Sequence, residues 1–271
     1  MRFKQLLLVA LCGSLLVAAC ASNSSSGNGG SASSGGSPHP AVELTVFAAS
    51  SLTAAFTQIG SDFEVVNPGT TVTFNFGSSG DLAASIESEG TADVFASASG
   101  TYMDEVSDKV GVSGRADFVQ NKLVVITPTD NPAGISSLED LAKPGVQVVL
   151  AAEGVPVGDY ARQALQTAGI EKAVLANVVS NEDDDASVVA KITSGEADAA
   201  IVYVSDVTSA VAPQLNAVQI PDAENVIATY PIAVVTGTSH ADTAQAFVDY
   251  VTGSPGEATL ADFGFLPPPP T

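Results

Sequence analysis

The sequence predicts an α/β fold built on largely parallel or mixed sheets, and three observations carry that expectation. From Glu43 onward, short apolar runs rich in strand formers alternate with helix-compatible stretches. Turn residues fall between them: Asn67-Pro68-Gly69 and Ala142-Lys143-Pro144-Gly145 each end a helix-compatible run ahead of an apolar one. Twice, an apolar run stops at a pair of serines and a helix-compatible run starts at once, at Ser50-Ser51 and at Ser78-Ser79.

Taken in order, the apolar run at 44–48 predicts the first strand, and 52–66, closed by Asn67-Pro68-Gly69, the first helix. A strand at 71–76 and a helix at 81–89 repeat the event around the second serine pair. Strands at 94–96, 122–127, 147–151, 177–180, 199–203, 217–220 and 227–235 follow from the same kind of apolar run. Helices are expected at 102–108, 138–142, 158–168, 186–194, 206–210, 241–251 and 256–263. The helix at 241–251 opens at Ser239-His240-Ala241-Asp242 and sets Ala246, Phe247 and Tyr250 at core-facing spacing. Tryptophan is absent and aromatics are few, so the cores rest on Val, Ile, Leu, Ala and Phe. No internal repeat with a period of roughly 20–50 residues is visible.

The N-terminus reads as an export signal spanning 1–19. Met1-Arg2-Phe3-Lys4 is basic, and the apolar run from Leu6 to Ala19 is too short and wrongly flanked for a spanning helix. Leu16-Val17-Ala18-Ala19-Cys20 resembles the lipobox of bacterial lipoproteins, which makes Cys20 the lipidated first mature residue. Residues 20–40 then form a Ser/Gly-rich tether expected to be disordered, spanning roughly 25 Å root-mean-square. A single lipid chain anchors only marginally, so stable attachment needs more than one. Cys12 lies inside the signal, which leaves the mature chain no disulfide.

The formal net charge is −21, and loss of Arg2 and Lys4 leaves seven basic against 30 acidic residues. That balance argues against nucleic acid or an anionic membrane as partner. It does not exclude a small anion, because the field of distant surface carboxylates is screened within about 8 Å at physiological salt.

Enzymatic chemistry finds little support. A Ser-His-Asp mechanism needs a histidine near the serine, but His39 lies in the tether and His240 reads as a surface or capping residue. Two histidines and one lipidated cysteine make no typical zinc or copper cluster. The acidic run Glu182-Asp183-Asp184-Asp185 lacks calcium-loop spacing and reads as a solvated loop. A ferric site wants clustered tyrosines, whereas Tyr102, Tyr160, Tyr203, Tyr230 and Tyr250 are scattered, although a fold could gather two. Phosphate-cradling glycine motifs of nucleotide enzymes are absent.

What remains is a set of four strand-to-helix junctions: Ser50-Ser51, Ser78-Ser79, Val155-Pro156-Val157-Gly158 and Asp183-Asp184-Asp185-Ala186. Each offers unpaired N–H donors and the positive end of a helix dipole, which suits an anion. Each is equally compatible with plain N-capping.

Five ordered motifs carry a resemblance. They are Val46-Phe47-Ala48-Ala49-Ser50-Ser51-Leu52-Thr53, Phe76-Gly77-Ser78-Ser79-Gly80-Asp81-Leu82, Ala92-Asp93-Val94-Phe95-Ala96-Ser97-Ala98, Val155-Pro156-Val157-Gly158-Asp159-Tyr160-Ala161, and Gly195-Glu196-Ala197-Asp198-Ala199-Ala200-Ile201-Val202-Tyr203. The likeness continues through Tyr230-Pro231-Ile232-Ala233-Val234-Val235 to Phe263-Gly264-Phe265. The series resembles the molybdate-binding proteins of bacterial ABC uptake systems, over Glu43 to about Leu266.

The resemblance implies a two-lobed, hinged α/β protein of the type II periplasmic-binding-protein class that closes on a tetrahedral oxyanion. By position, Ser51 and Ser79 are the implied ligands on one lobe, each through hydroxyl and backbone N–H, with Ser50 and Ser78 in support. Val157 and Asp185, through backbone N–H, and Tyr203, through its phenol, are implied on the other. The metal is held through its oxyanion by these same residues, with no cofactor and no reaction. Lobe one is expected to comprise 41–124 plus 230–271 and lobe two 125–229, with a hinge through 124–127 and 228–232. A membrane permease with a cytoplasmic ATPase is the implied partner, the chain being a monomer.

One departure stands out: Asp185 occupies a position where the family usually has an apolar residue, unless an offset at the acidic run moves the role to Asp184. None of the seven mature basic residues lies in a motif core, and Arg162, five after Val157, is expected on the helix surface. Sulfate, thiosulfate and hydrogen phosphate are the rival ligands, and a non-binding structural lipoprotein the rival class.

Overall fold

The computed structural model describes residues 41–270. The expected signal, the lipidation at Cys20 and the tether fall outside the described residues. Among the described residues, nine strands and eight α-helices follow one another. They are β1 (Val42–Ala49), α1 (Thr53–Val66), β2 (Thr70–Gly77), α2 (Ser79–Glu89), β3 (Val94–Ala96), α3 (Gly100–Lys109) and β4 (Val112–Pro128). Next come β5 (Val148–Ala151), α4 (Pro156–Thr167), α5 (Glu171–Leu175), β6 (Val178–Glu182), α6 (Asp185–Thr193) and β7 (Ala199–Tyr203). The chain closes with β8 (Leu215–Gln219), β9 (Ile227–Val235), α7 (Ala241–Thr252) and α8 (Ser254–Asp262).

The strands form a mixed sheet in the order β2-β1-β3-β9-β4-β7-β5-β6, with β8 paired to β4. β1 pairs in parallel with β2 and β3, and β5 in parallel with β6 and β7. The central pairings, β3 with β9 and β4 with β9, β7 and β8, are antiparallel. β4 links the two halves of the sheet: Val112 to Lys122 pair with β9, and from Leu123 onward the strand pairs with β7.

Alternation along β1 explains how the first half is layered. Leu44, Val46 and Ala48 point to one face, where Phe56 and Phe63 of α1 meet Phe247 of α7 with ring centroids 6.1 and 5.2 Å apart. Phe47 points to the other face, joining Phe95 against Leu82 and Ile86 of α2 and Met103 and Val106 of α3. In the second half β5 and β7 are buried along their whole length, as expected of strands covered on both faces.

Most elements match their sequence expectation within two or three residues; four differences have physical causes. β4 starts ten residues before the predicted 122, because Gly114, Arg115 and Asp117 dilute the apolar pattern of a segment whose pairing with β9 is broken by register shifts. The helix expected at 206–210 does not form: the Asp206 carboxyl accepts the Tyr203 N–H at 2.8 Å and closes a 3-10 turn, Val204–Asp206. The chain then leaves helical geometry at Val207 (ψ 59°). Residues Leu138–Ala142 are 3-10 rather than α, a run cut short ahead of Pro144. The short α5 has no counterpart among the predicted helices.

The layout has one consequence for function. β1, β2, β5 and β6 each run into a helix, so four helix N-termini are delivered to the carboxyl ends of parallel-paired strands. No helix among the described residues is long and apolar enough to cross a membrane.

Candidate functional site

The four junctions meet at one small cavity. Its lining comprises Ala49, Ser50 and Ser51 from the first junction, Gly77, Ser78 and Ser79 from the second, Val155, Pro156 and Val157 from the third and Asp185 from the fourth, together with Ala98 and Tyr203. All the residues singled out by the motif series, Ser50 and Ser78 included, are therefore side by side. Residues more than a hundred positions apart in sequence share one wall because the sheet order brings their strands' ends together.

Local chemistry at three of the four N-termini leaves donors free. A 3-10 turn, Ser50–Leu52, precedes α1, and no side chain caps it. Ser78 is the N-cap of α2 and Val155 that of α4, and neither makes a side-chain cap bond. The first N–H groups of these helices have no intrahelical acceptor, so they face the cavity as donors backed by the helix dipole. At α4 Pro156 occupies the first turn, where a missing N–H costs nothing. Gly158 lets the helix press onto the end of β5: a Cβ there would sit 2.4 Å from the carbonyl oxygens of Ala151 and Ala152.

The hydroxyls differ in how they are held. Ser51 Oγ lies 2.9 Å from the Tyr230 hydroxyl, which also receives the Asn121 side-chain N–H at 3.3 Å. Ser79 Oγ accepts the Ala98 N–H at 3.0 Å. The Tyr203 hydroxyl, on a residue 1% exposed, has no hydrogen-bond partner within the protein. A buried hydroxyl left unpaired costs about 1–3 kcal/mol, so the geometry favours an acceptor in the cavity. The Tyr203 ring packs edge-on against Tyr230 with centroids 5.8 Å apart. Burial pushes the pKa of both phenols well up, so each stays a protonated donor.

The acidic run departs from the solvated loop expected of it. Asp184 is the N-cap of α6, its carboxylate accepting the Ser187 N–H at 2.7 Å. Asp185, one residue on, is 3% exposed and lines the cavity. Burial pushes its carboxyl up to about 6, opposed by the Ala186 N–H that its Oδ1 accepts at 3.2 Å. Asp206 is only partly buried as a residue, but its carboxyl is enclosed, and burial together with the Asp185 charge raises it well above the usual range.

No lysine or arginine lines the cavity. Arg162 is not on the helix surface as expected: its side chain is 12% exposed and donates to the carbonyls of Ala151 and Gly158 and to Asn181 Oδ1, each at 2.9 Å. It braces the end of β5 under α4. His240 stands at the N-cap of α7, its ring 3.4 Å from Asp93 and remote from the cavity lining. No cluster of three or more His, Cys, Asp or Glu side chains capable of holding a metal ion occurs among the described residues.

Three neighbours of the cavity lay beyond sequence reasoning. Tyr230 stood inside a quoted motif yet received no role, and Asn121 and Asp206 are isolated polar residues with no pattern around them. Their places depend on the antiparallel pairing of β4 and β9 and on the turn after β7.

A donor-lined, cation-free cavity at four helix N-termini is chemically suited to a small oxyanion. Comparison with known proteins agrees with the architecture. The family model described as bacterial extracellular solute-binding protein matches residues 44–266. The molybdate-binding protein ModA of Mycobacterium tuberculosis is 40% identical over 234 residues, which are 86% of this chain and 88% of the relative. Among solved structures, the periplasmic molybdate-binding protein of Azotobacter vinelandii superposes with a TM-score of 0.74 at 20% identity, over 83% of this chain and 100% of that one. The sulfate-binding protein SubI of Mycobacterium tuberculosis superposes with a TM-score of 0.73 at 16% identity, over 83% of this chain and 87% of that one. These two likenesses establish the two-lobed α/β fold.

Proposed function

Since the chain belongs to the bacterial extracellular solute-binding proteins, and within them to the kin of the molybdate-binding proteins, we propose that it captures molybdate and tungstate outside the cytoplasm for import. In this reading it hands the anion to a membrane permease driven by a cytoplasmic ATPase, and no covalent bond is made or broken. Cys20 carries a lipid anchor, and the Ser/Gly-rich stretch behind it tethers the folded part to the membrane. Residues 41–124 with 230–271 and residues 125–229 are the two lobes, hinged at 124–127 and 228–232.

The observation that carries the reading is the convergence of four helix N-termini on a cavity lined by serine hydroxyls and a partnerless phenol, without a cation. Ser51 and Ser79 donate through hydroxyl and backbone N–H, Val157 and Asp185 through backbone N–H, and Tyr203 through its phenol. Hydrogen bonds to a charged partner contribute about 1.5–3 kcal/mol each. Half a dozen suffice for tight binding after the costs of closure. Fixed neutral donors select shape and size better than a mobile lysine does.

The Asp185 carboxyl in the cavity wall favours one second reading. A hydrogen-bearing oxyanion such as hydrogen phosphate could donate its own O–H to an ionised Asp185. Calorimetry against molybdate, tungstate, sulfate, thiosulfate and phosphate decides between them. Tight molybdate and tungstate with weak phosphate and sulfate is the expected result; the reverse order overturns the reading. A melting point unmoved by every oxyanion would instead favour a non-binding lipoprotein, since ligand at 100 times its Kd stabilises by about 2.7 kcal/mol.

A further inference from the structure

We propose that Tyr102 and Gly154 form a latch across the rim of the anion cavity, slowing the escape of a captured oxyanion while standing outside the cavity itself. The inference rests on the reading of the cavity as an oxyanion site between two hinged lobes and adds to it a control of release.

The Tyr102 hydroxyl, on α3, donates to the Gly154 carbonyl, in the turn between β5 and α4. Neither residue lines the anion cavity. Both line a neighbouring depression that shares Ser78 and Val155, the N-caps of α2 and α4, with the cavity. Asp81, Glu153, Gly154 and Asp183 on its walls are exposed, so the depression is where the cavity wall meets solvent. In the lobes proposed above, Tyr102 belongs to one and Gly154 to the other. Among the described residues, the other side-chain hydrogen bonds between those lobes run from Gln120 to Thr229, from Asn121 to Ser205 and between Leu123 and Asn225. Those start on β4 just ahead of the hinge and turn with it. The bond from Tyr102 to Gly154 is the one that reaches across the side away from the hinge.

Both ends of the latch are held in place. Gly154 has a φ of 86°, which favours glycine, and its N–H is taken by Asp159 Oδ1 at 2.9 Å. The Val155 N–H closes the turn on the Ala152 carbonyl at 3.2 Å. The Gly154 carbonyl is thereby aimed before Tyr102 meets it. On the other side, Ser99 caps α3 by accepting the Thr101 N–H at 3.2 Å. The Tyr102 ring packs against the cluster that contains Phe47, Leu82 and Phe95. Gly80, the second residue of α2, makes the room. A Cβ there would lie 3.2 Å from two ring carbons of Tyr102 and 3.3 Å from the Gly154 carbonyl oxygen. Alanine would favour the helix more than glycine does, and the close approach of three segments is what glycine permits instead.

The effect is kinetic. Parting the lobes to release the anion must break this bond, whereas capture by the open form meets no such bond. A neutral hydroxyl-to-carbonyl bond at a solvent-facing rim is modest, worth a factor of about five in the release rate. It forms outside the cavity whatever anion sits within, so it retains cargo without selecting it. Selection stays with the donors that line the cavity.

The test measures capture and release separately, by mixing the protein with radiolabelled molybdate and by chasing the loaded protein with excess unlabelled molybdate. Tyr102→Phe keeps the ring and loses only the hydroxyl. It should release molybdate about fivefold faster, with the capture rate unchanged within about twofold. Tungstate release should speed up by the same factor. Gly80→Ala, which drives a methyl group between ring and carbonyl, should also speed release. It should add little in the Tyr102→Phe background, because both changes act on one bond. Tyr102→Phe that releases molybdate at the wild-type rate overturns the latch and leaves the oxyanion reading intact. So does Tyr102→Phe whose affinity falls through slower capture. Should Tyr102→Phe fail to fold, Gly80→Ala decides on the same two rates. A wild-type chain that binds no oxyanion overturns the oxyanion reading and the latch together.

Discussion

The two sides of the cavity are built from the same device and finished differently. On the side of β1, β2 and their helices, each serine hydroxyl is already engaged: Ser51 with Tyr230 at 2.9 Å, and Ser79 with the Ala98 N–H at 3.0 Å. On the side of β5, β6 and β7, the Tyr203 hydroxyl has no protein partner and Asp185 carries a carboxyl that burial makes protonatable near neutrality. The first side is oriented before any ligand arrives, since its hydroxyls are held at fixed angles by groups that do not titrate near neutral pH. The second is left open and responsive. Preorganisation on the first side supplies selectivity for a ligand whose shape fits its donors.

The largest expected effects come from removing the engaged hydroxyls. Ser51→Ala and Ser79→Ala should each weaken molybdate binding by about tenfold or more, the equivalent of a lost hydrogen bond to a charged partner at about 1.5–3 kcal/mol. Both should also lower the melting point of the ligand-free protein, because each strands a buried neighbour. Ser51→Ala takes a partner from the Tyr230 hydroxyl, and Ser79→Ala takes the acceptor from the Ala98 N–H. Calorimetry and thermal melting on the same preparations check both halves. Weakened binding at unchanged ligand-free stability would mean that these bonds do not preorganise the wall.

Tyr203→Phe probes the opposite side and separates the two quantities. Its hydroxyl contributes nothing to the protein's own hydrogen bonds, so the ligand-free protein should keep its stability within about 0.5 kcal/mol or gain slightly. Molybdate affinity should fall by about tenfold. Unchanged affinity would remove Tyr203 from the site, and a large loss of ligand-free stability would show that its hydroxyl has a protein partner after all.

The same contrast tells how much of the molecule could be read from the chain. The serine side was legible because strand, serine pair and helix are contiguous, so Ser50-Ser51 and Ser78-Ser79 announce themselves within a few residues. The strands and most helices were legible for the same reason, apolar period and turn residues being local signals. The opposite side is assembled from β5, β6 and β7, and Val157, Asp185 and Tyr203 acquired roles only through the ordered motif series. The burial of Asp185 could not be seen in an acidic run that looks hydrated, and Asp206 was expected in a helix that does not exist. Arg162 was misplaced because its environment, the carbonyls at the end of β5, is made by tertiary packing. Charges and their partners depend on distances across the sheet, which local sequence does not encode.

The smallest expected effect is a pH dependence of stability that only the responsive side should show. Asp185 has a folded-state pKa raised to about 6, above the value of about 3.9 for an unfolded aspartate. Between about pH 4 and pH 6 the native state therefore binds more protons than the unfolded one. Stability then falls as pH rises through that window and is recovered as pH drops. From pH 7 to pH 5 the gain for one such group is about 1 kcal/mol. Asp140 acts in the other direction, held down to about 2 by the Lys143 ammonium and the Ser136 donors, but it sits on the surface and titrates below this range. Urea unfolding of the ligand-free protein at pH values across about 5 to 7 measures the slope. Asp185→Asn should reduce the slope and leave the part that the raised Asp206 carboxyl contributes. Ser79→Ala, on the opposite wall, should be less stable at every pH and keep the wild-type slope. If Asp185→Asn kept the slope, or Ser79→Ala lost it, the division between a fixed wall and a titrating one would fail at its root, because the proton would then reside elsewhere.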